Sequence, residues 1–159
     1  MNIVLATALR VVIVLILLIA FLGQVIVIPF IAHEFAVTDP ELARLAVPYA
    51  AIAIAIVACV EVALIAVWIL LSRVRRRAIF SESSFLWVDV VIGCGAIATV
   101  LTTALVIWHQ SVEQLGPPPF LIVLTCVAVG GVAFVLLMLV MRGLLKQATA
   151  LESELAEVV

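Results

Sequence analysis

An acidic residue in the middle of a long apolar segment is the strongest candidate for chemistry in this sequence. Glu61 lies near the centre of the run 47–71, which is otherwise almost entirely apolar. Because a carboxylate is costly in hydrocarbon, we expect this side chain to face a bundle interior, a cavity or a partner, and to be protonated for part of the time. Two interpretations stay open. Glu61 either packs between helices as a neutral group, or lines a pathway for protons, cations or a small solute in an assembly of several copies.

Two further polar residues lie inside apolar runs. Asp89 stands about one turn inside the run 86–108, and we expect it to be hydrogen-bonded near the inner interface or paired with an arginine of the preceding loop. Gln24 lies in the run 11–31 and can hydrogen-bond across a helix bundle without any further role. Small or weakly polar residues share the helix face of Asp89 and predict a seam between helices: Gly93, Ala96, Val100 and Thr103.

The other reactive residue types occur without the spacing that catalysis or cofactor binding needs. His33 and His109 are predicted near the same membrane surface, yet they lack a haem or metal signature. The three cysteines are isolated and embedded, with no Cys-x-x-Cys pair. We find no catalytic triad, zinc motif, phosphate-binding glycine loop or nucleic-acid module. We therefore expect no cofactor, no metal, no direct nucleic-acid binding and no enzymatic activity.

The elements that position these residues are four long apolar runs, at about 11–31, 47–71, 86–108 and 120–141. Each reaches the ~20 residues that a helix needs to cross a bilayer of ~30 Å. With 68% hydrophobic and 11% charged residues among 159, the chain has too little polar surface for a soluble fold of this size. We predict one transmembrane domain over residues 1–159, with a loop at 72–85 and a tail at 142–159.

The basic residues predict the orientation of these spans. Seven of the eight fall before the first span, between the second and third, or after the fourth, and only Arg44 lies on the other side. Since short loops rich in Lys and Arg stay cytoplasmic, both termini are predicted inside a cytoplasmic (inner) membrane. Four loop residues are expected to set topology and to contact lipid headgroups: Arg73, Arg75, Arg76 and Arg77.

Short connections predict an all-α, up-down bundle of four transmembrane helices. The second helix has two distinct faces: a stripe of small residues (Ala51, Ala55, Cys59 and Ala63) turned away from the face of Glu61. The fourth helix is predicted to continue into the cytoplasm as an amphipathic extension, because apolar residues from Leu144 to Val158 recur at helical spacing. Small-residue faces and this tail are the candidate surfaces for self-association or for a protein partner, beside the lipid bilayer itself.

The residues after the arginine-rich loop resemble those of a known family. The segments Arg77-Ala78-Ile79-Phe80-Ser81-Glu82 and Trp87-Val88-Asp89, with four spans of this length and the ending around Leu144-Leu145-Lys146, are similar to the bacterial membrane family called domain of unknown function 2975, in its actinobacterial type. The resemblance implies a small multi-pass membrane protein, encoded in some members beside a helix-turn-helix regulator. It implies no activity, substrate or catalytic residue.

These observations leave three classes of function. The sequence favours a non-catalytic regulatory or accessory module that binds a partner through its cytoplasmic loop and tail. An oligomeric pathway that uses Glu61 is the first alternative, and a membrane enzyme or redox carrier is the second.

Overall fold

The computed structural model describes residues 3–38, 40, 43–75, 82–113 and 118–157, with side chains described for 7–38, 40, 43–72, 85–111 and 121–149. Every described residue except Pro40 is helical. The helices are α1 (Ile3–Leu22), α2 (Ile28–Thr38), α3 (Ala43–Arg75), α4 (Glu82–Trp108) and α5 (Pro118–Glu157), with π-helical segments at Gly23–Val27 and His109–Glu113.

Four stretches of these helices are long and apolar enough to cross a membrane: Thr7–Thr38, Ala43–Ser72, Phe85–Ser111 and Leu121–Thr149. An 18-residue segment within each stretch has a mean hydropathy of 3.3, 2.9, 2.4 and 2.8 respectively. The predicted all-α fold with four membrane-spanning helices is confirmed. At a rise of ~1.5 Å per residue, 27 to 32 residues exceed the ~30 Å hydrocarbon layer, so the helices tilt or extend beyond it.

The first connection is shorter than the segment 32–46 expected from the apolar runs. Helix α2 continues to Thr38, and α3 already begins at Ala43. Polar residues at the end of α2 remain helical because the helix supplies their backbone hydrogen bonds, and the Thr38 hydroxyl donates to the Glu34 carbonyl at 2.9 Å. The hydropathy pattern marks where a helix leaves hydrocarbon, not where it ends.

The first span is one helix interrupted by a wider turn. The Ile28 amide bonds to the Gly23 carbonyl, five residues earlier, where a regular α-helix would use the fourth. Pro29 follows directly, and its ring would clash with the carbonyl of Val25 in a regular α-helix. A widened turn relieves that clash, so we attribute the π-helical segment to this proline.

Each span packs against its neighbour in sequence, and the neighbours are antiparallel. Helix α3 contacts α1 and α2 on one side and α4 on the other, and α4 contacts α5. Within the described part of the chain, α1 and α5 do not pack extensively against each other. The up-down arrangement of four helices therefore leaves α1 and α5 as the outer members.

Few side chains are buried, because the helices share narrow contacts. Among the described side chains the buried set consists of Ile13, Ala46, Ala66, Val91, Thr102, Leu105 and Ala128. Large apolar side chains on the outer helices are widely exposed, for example Ile19 at 68% and Val129 at 65%. Such surfaces are stable against lipid tails and not against water.

The seam between α4 and α5 depends on two glycines. A Cβ atom placed on Gly131 would meet the Thr99 side chain, with Cβ at 3.2 Å and Cγ2 at 3.3 Å, and one on Gly95 would meet Phe134 at 3.1 Å. The helices can approach this closely only because neither glycine carries a side chain.

The predicted seam along the Asp89 face is therefore partly wrong. Val100 is 66% exposed, Thr103 is also exposed, and the space around Gly93 is open. The seam runs through Gly95 and Thr99 instead, which at about 100° per residue lie about 120° and 80° from Asp89 around the helix, so α5 packs on a neighbouring face.

The ends of α3, α4 and α5 next to the loop at 72–85 are only partly described. Helix α4 begins at Glu82, and Arg76 and Arg77 lie outside the described residues. Arg73 and Arg75 lie in the last turn of α3, and their side chains are not among those that the structure describes. Helix α5 continues without a break to Glu157, in agreement with the expected helical extension.

Candidate functional site

The face of α3 that carries Glu61 is turned towards α1. Val57 lines a groove together with Gly23 and Val27, and Ser72 accepts a hydrogen bond from an arginine of α1. At about 100° per residue, Val57, Trp68 and Ser72 all lie within roughly 40° of Glu61 around the helix. The carboxyl therefore points into the interface between the first two spans.

Glu61 and Gln24 are polar groups without partners in this interface. The Oε1 atom of Glu61 and the Nε2 atom of Gln24 are both buried and make no hydrogen bond within the described part of the chain. The contact between Arg10 and Ser72 sets the register of the two spans and places Gln24 about one turn further than Glu61 from the end that carries Arg10. A buried polar group left unpaired costs about 1–3 kcal/mol, so Glu61 and Gln24 each lower the stability of the fold in this position.

The surroundings of Glu61 decide what it can do chemically. The groove beside α1 is apolar throughout, lined by Ile19, Ala20, Leu22, Gly23, Val27, Ile28 and Val57. On the far side of α3, Ala66 is fully buried, and Cys59 lies near Cys94 of α4. The small-residue stripe thus faces α4, as its separation from Glu61 predicts. Glu61 can bind a proton or accept a hydrogen bond, but the described residues offer it no polar row to either surface.

Three threonine hydroxyl groups of α4 are hydrogen-bonded within their own helix. Thr99 donates to the Gly95 carbonyl at 2.7 Å, Thr102 to Ala98 at 2.8 Å and Thr103 to Thr99 at 2.8 Å. These bonds satisfy hydroxyl groups that would otherwise be unpaired in an apolar environment. The threonines therefore do not extend the polar site of Glu61.

Asp89 is paired near the N-terminal end of α4, with Arg142 of α5 as its partner. The guanidinium makes two contacts with the carboxylate, Nη2 to Oδ2 at 2.8 Å and Nε to Oδ1. The expected partner was an arginine of the preceding loop, but the antiparallel α5 brings Arg142 to the same level. Since both side chains are about half exposed, this ion pair orients the helices more than it stabilises them.

A second arginine lies at the same level on the other side of the molecule. Arg10 Nη2 donates to Ser72 Oγ at 3.2 Å, and its guanidinium carbon lies 5.7 Å from the centre of the Trp68 ring. Ser72 in turn donates to the Trp68 carbonyl at 2.9 Å. Sequence reasoning treated Arg10 only as a topology signal. The sequence did contain a signal for this contact. A lone arginine lies just before the first span, at the level of a tryptophan near the end of the second.

Near the N-terminal end of α3 and the C-terminal end of α4, a polar contact joins the two helices. The Tyr49 hydroxyl and His109 Nδ1 are 2.9 Å apart, and the two rings meet edge to face at 6.1 Å. His33 is exposed on α2. Within the described ranges, no group of three or more His, Cys, Asp or Glu side chains is placed to hold a metal ion.

The four long apolar helices define a multi-pass α-helical membrane protein. Charged groups lie at the helix ends, and one carboxyl oxygen inside a span bonds to no described residue. The chain belongs to the family described as protein of unknown function DUF2975, whose model matches residues 30–159. That match includes Glu61 and Asp89, whereas Arg10 and Gln24 precede it. No curated protein and no solved structure matches the chain.

Proposed function

We propose that this protein is a non-catalytic accessory or regulatory module of the cytoplasmic membrane that binds a partner protein with its C-terminal helix. Both termini face the cytoplasm in this proposal, because the basic residues concentrate at that end of the spans.

The observation that carries the proposal is the length of α5. In the register set by Thr99 with Gly131 and by Asp89 with Arg142, the start of α4 is level with about residue 148. Helix α5 nevertheless continues to Glu157, which is roughly 13 Å further at ~1.5 Å per residue. No other described element packs extensively against α5 besides α4.

The composition of this extension indicates the chemistry of its partner. An isolated helical stretch of this length is marginal in water, so a bound state is favoured when a partner covers it. Leu151 and Leu155 are four residues apart and belong on one helix face, while three acids, Glu152, Glu154 and Glu157, accompany them. A shallow apolar groove with a basic rim is the complementary surface.

Co-purification with matched variants tests the proposal. The full chain is purified gently from its native membrane, and its companions are quantified by mass spectrometry. We expect a partner in near-equal amount, which is lost from Leu151→Glu/Leu155→Glu and retained by the exposed control Gln147→Ala. Recovery of self-copies alone, or equal recovery with both variants, contradicts the partner role.

A second candidate function rests on Glu61. Its buried carboxyl oxygen, which bonds to no described residue, supports an oligomeric pathway for protons, cations or a small solute. The apolar groove at Val57, one turn away on the same helix, argues for a narrow site and against a wide aqueous route. If this candidate is correct, we expect the natural protein to support flux in proteoliposomes. Glu61→Gln should abolish that flux while the fold stays intact. Absence of flux in the natural protein refutes it.

An enzymatic or redox role is the least favoured candidate, because the sequence offers no catalytic pair or cofactor spacing. An absorbance spectrum of the purified protein tests the redox version, and a cofactor band would contradict the proposed accessory role.

A further inference from the structure

Two arginines at the inner ends of the spans are held in different ways. The contacts of Tyr49 with His109 and of Arg10 with Ser72 place Arg10 and Arg142 within about one helix turn of the same level. Arg142 meets the carboxylate of Asp89. Among the described residues, no carboxylate pairs with Arg10.

The charge of Arg10 is nevertheless held in place. The guanidinium stands over the indole ring of Trp68 and uses one N–H group on Ser72, while its Nε is buried and makes no hydrogen bond to a described residue. A guanidinium has five N–H donors in a planar fork, so several donors are left for an acceptor. Among the described residues nothing neutralises this part-buried cation, which is unfavourable, so the arrangement favours a bound anion.

We propose that Arg10, Trp68 and Ser72 form a binding site for the phosphate group of an anionic phospholipid. The fork of an arginine matches the oxygens of a phosphate, and a tryptophan at this level is typical of the headgroup region. The exposed apolar side chains of α1 beside the site, Val11 and Val14, provide a surface for the acyl chains. A lipid satisfies both features, whereas free phosphate satisfies only the first.

Under the proposed orientation the lipid belongs to the cytoplasmic leaflet, but binding itself does not depend on that orientation. The site is also independent of the C-terminal helix and of Glu61. Failure of the partner proposal therefore leaves this inference unchanged, and the reverse is also true.

Titration with lipid in detergent, read by native mass spectrometry, tests the site. Phosphatidylglycerol and phosphatidylcholine are added to the purified full chain, and the bound molecules are counted. We expect Arg10→Gln to bind one phosphatidylglycerol fewer, or to bind it about tenfold or more weakly, since it loses a charge-assisted pair of hydrogen bonds. Arg10→Lys keeps the charge without the fork, so its loss is smaller.

Controls separate this site from general attraction between charges. Arg44→Gln removes one charge at the other end of α3, and Asp89→Asn/Arg142→Gln removes the internally neutralised pair at the same level. Both are expected to retain the phosphatidylglycerol. Equal loss in these variants, or unchanged binding by Arg10→Gln, overturns the proposal.

Two further arms keep the outcome decisive. If Arg10→Gln does not fold, Arg10→Lys and Ser72→Ala carry the test, and unchanged binding by both overturns the proposal. Inorganic phosphate is added at the same concentration as the lipid. Displacement of the lipid by inorganic phosphate would assign the site to a free ion and refute the lipid assignment.

Discussion

Substitution of two adjacent glycines in α5 tests the contact between the third and fourth spans. A Cβ atom on Gly131 would lie 3.2 Å from Thr99 Cβ and 3.3 Å from its Cγ2, and closer still to its Oγ1. A Cβ atom on Gly130 would meet nothing within 4 Å. Gly131→Ala and Gly130→Ala therefore add the same methyl group to the same helix, one into the seam and one into open space.

The expected difference follows from two opposing effects. Replacement of glycine by alanine in a helix contributes up to ~1 kcal/mol of stability at either position. Overpacking at Gly131 costs about 1–3 kcal/mol, because Thr99 cannot rotate away without breaking its 2.7 Å bond to the Gly95 carbonyl. Gly130→Ala should be neutral or stabilising, and Gly131→Ala should be about 1–3 kcal/mol less stable than Gly130→Ala.

Reversible unfolding in mixed detergent micelles measures both free energies of unfolding. The double variant Gly131→Ala/Thr99→Ala should recover part of the loss, since it removes the hydroxyl and methyl groups but leaves the Thr99 Cβ. Equal stabilities for the two single variants would refute the close approach of α4 and α5 at Gly131.

Three other predictions follow from the remaining contacts. Glu61→Leu should raise the free energy of unfolding by about 1–3 kcal/mol, because it removes a buried oxygen without a partner; a loss of stability would mean that Glu61 is paired. A double-mutant cycle on Asp89 and Arg142 should give a favourable coupling smaller than the Gly131 effect and decreasing with salt, since the pair is half exposed; a salt-independent coupling would contradict this. Neutral replacement of Arg73, Arg75, Arg76 and Arg77 together should weaken or invert the labelling of a cysteine at position 80, and unchanged labelling would leave the other basic residues in control of topology.

The number of helices and their membrane-spanning type were predictable because each span can be recognised from its own residues. A run of about twenty apolar residues has one stable conformation in hydrocarbon, since only a helix satisfies its own backbone donors and acceptors. The same argument predicts that Glu61 lies in an interface, because the alternative is a carboxyl in lipid. Family membership was likewise recognisable from local segments such as that at 77–82.

Partners across helices were not predictable in the same way. The sequence left Asp89 either hydrogen-bonded near the inner interface or paired with a loop arginine, and it placed the α4 seam on the face of Val100 and Thr103. The structure uses Arg142 and Thr99. At about 100° per residue, Gly95 and Thr99 lie about 120° and 80° from Asp89 around α4, so the contact belongs to a different face of the helix. The sequence contains no local signal for which of these faces α5 packs against.

The sequence by itself determined the four spans, their alternation across the membrane and the burial of Glu61, because these depend on transfer of side chains and backbone into hydrocarbon. Only the tertiary structure decided that polar atoms of Glu61 and Gln24 are buried and hydrogen-bonded to no described residue. The same holds for the contacts of Arg10 with Trp68 and Ser72. The tertiary structure also decided that α5 extends beyond the level at which α4 begins. These features depend on how helices are rotated and shifted against one another, which side-chain packing fixes only when all of them are present.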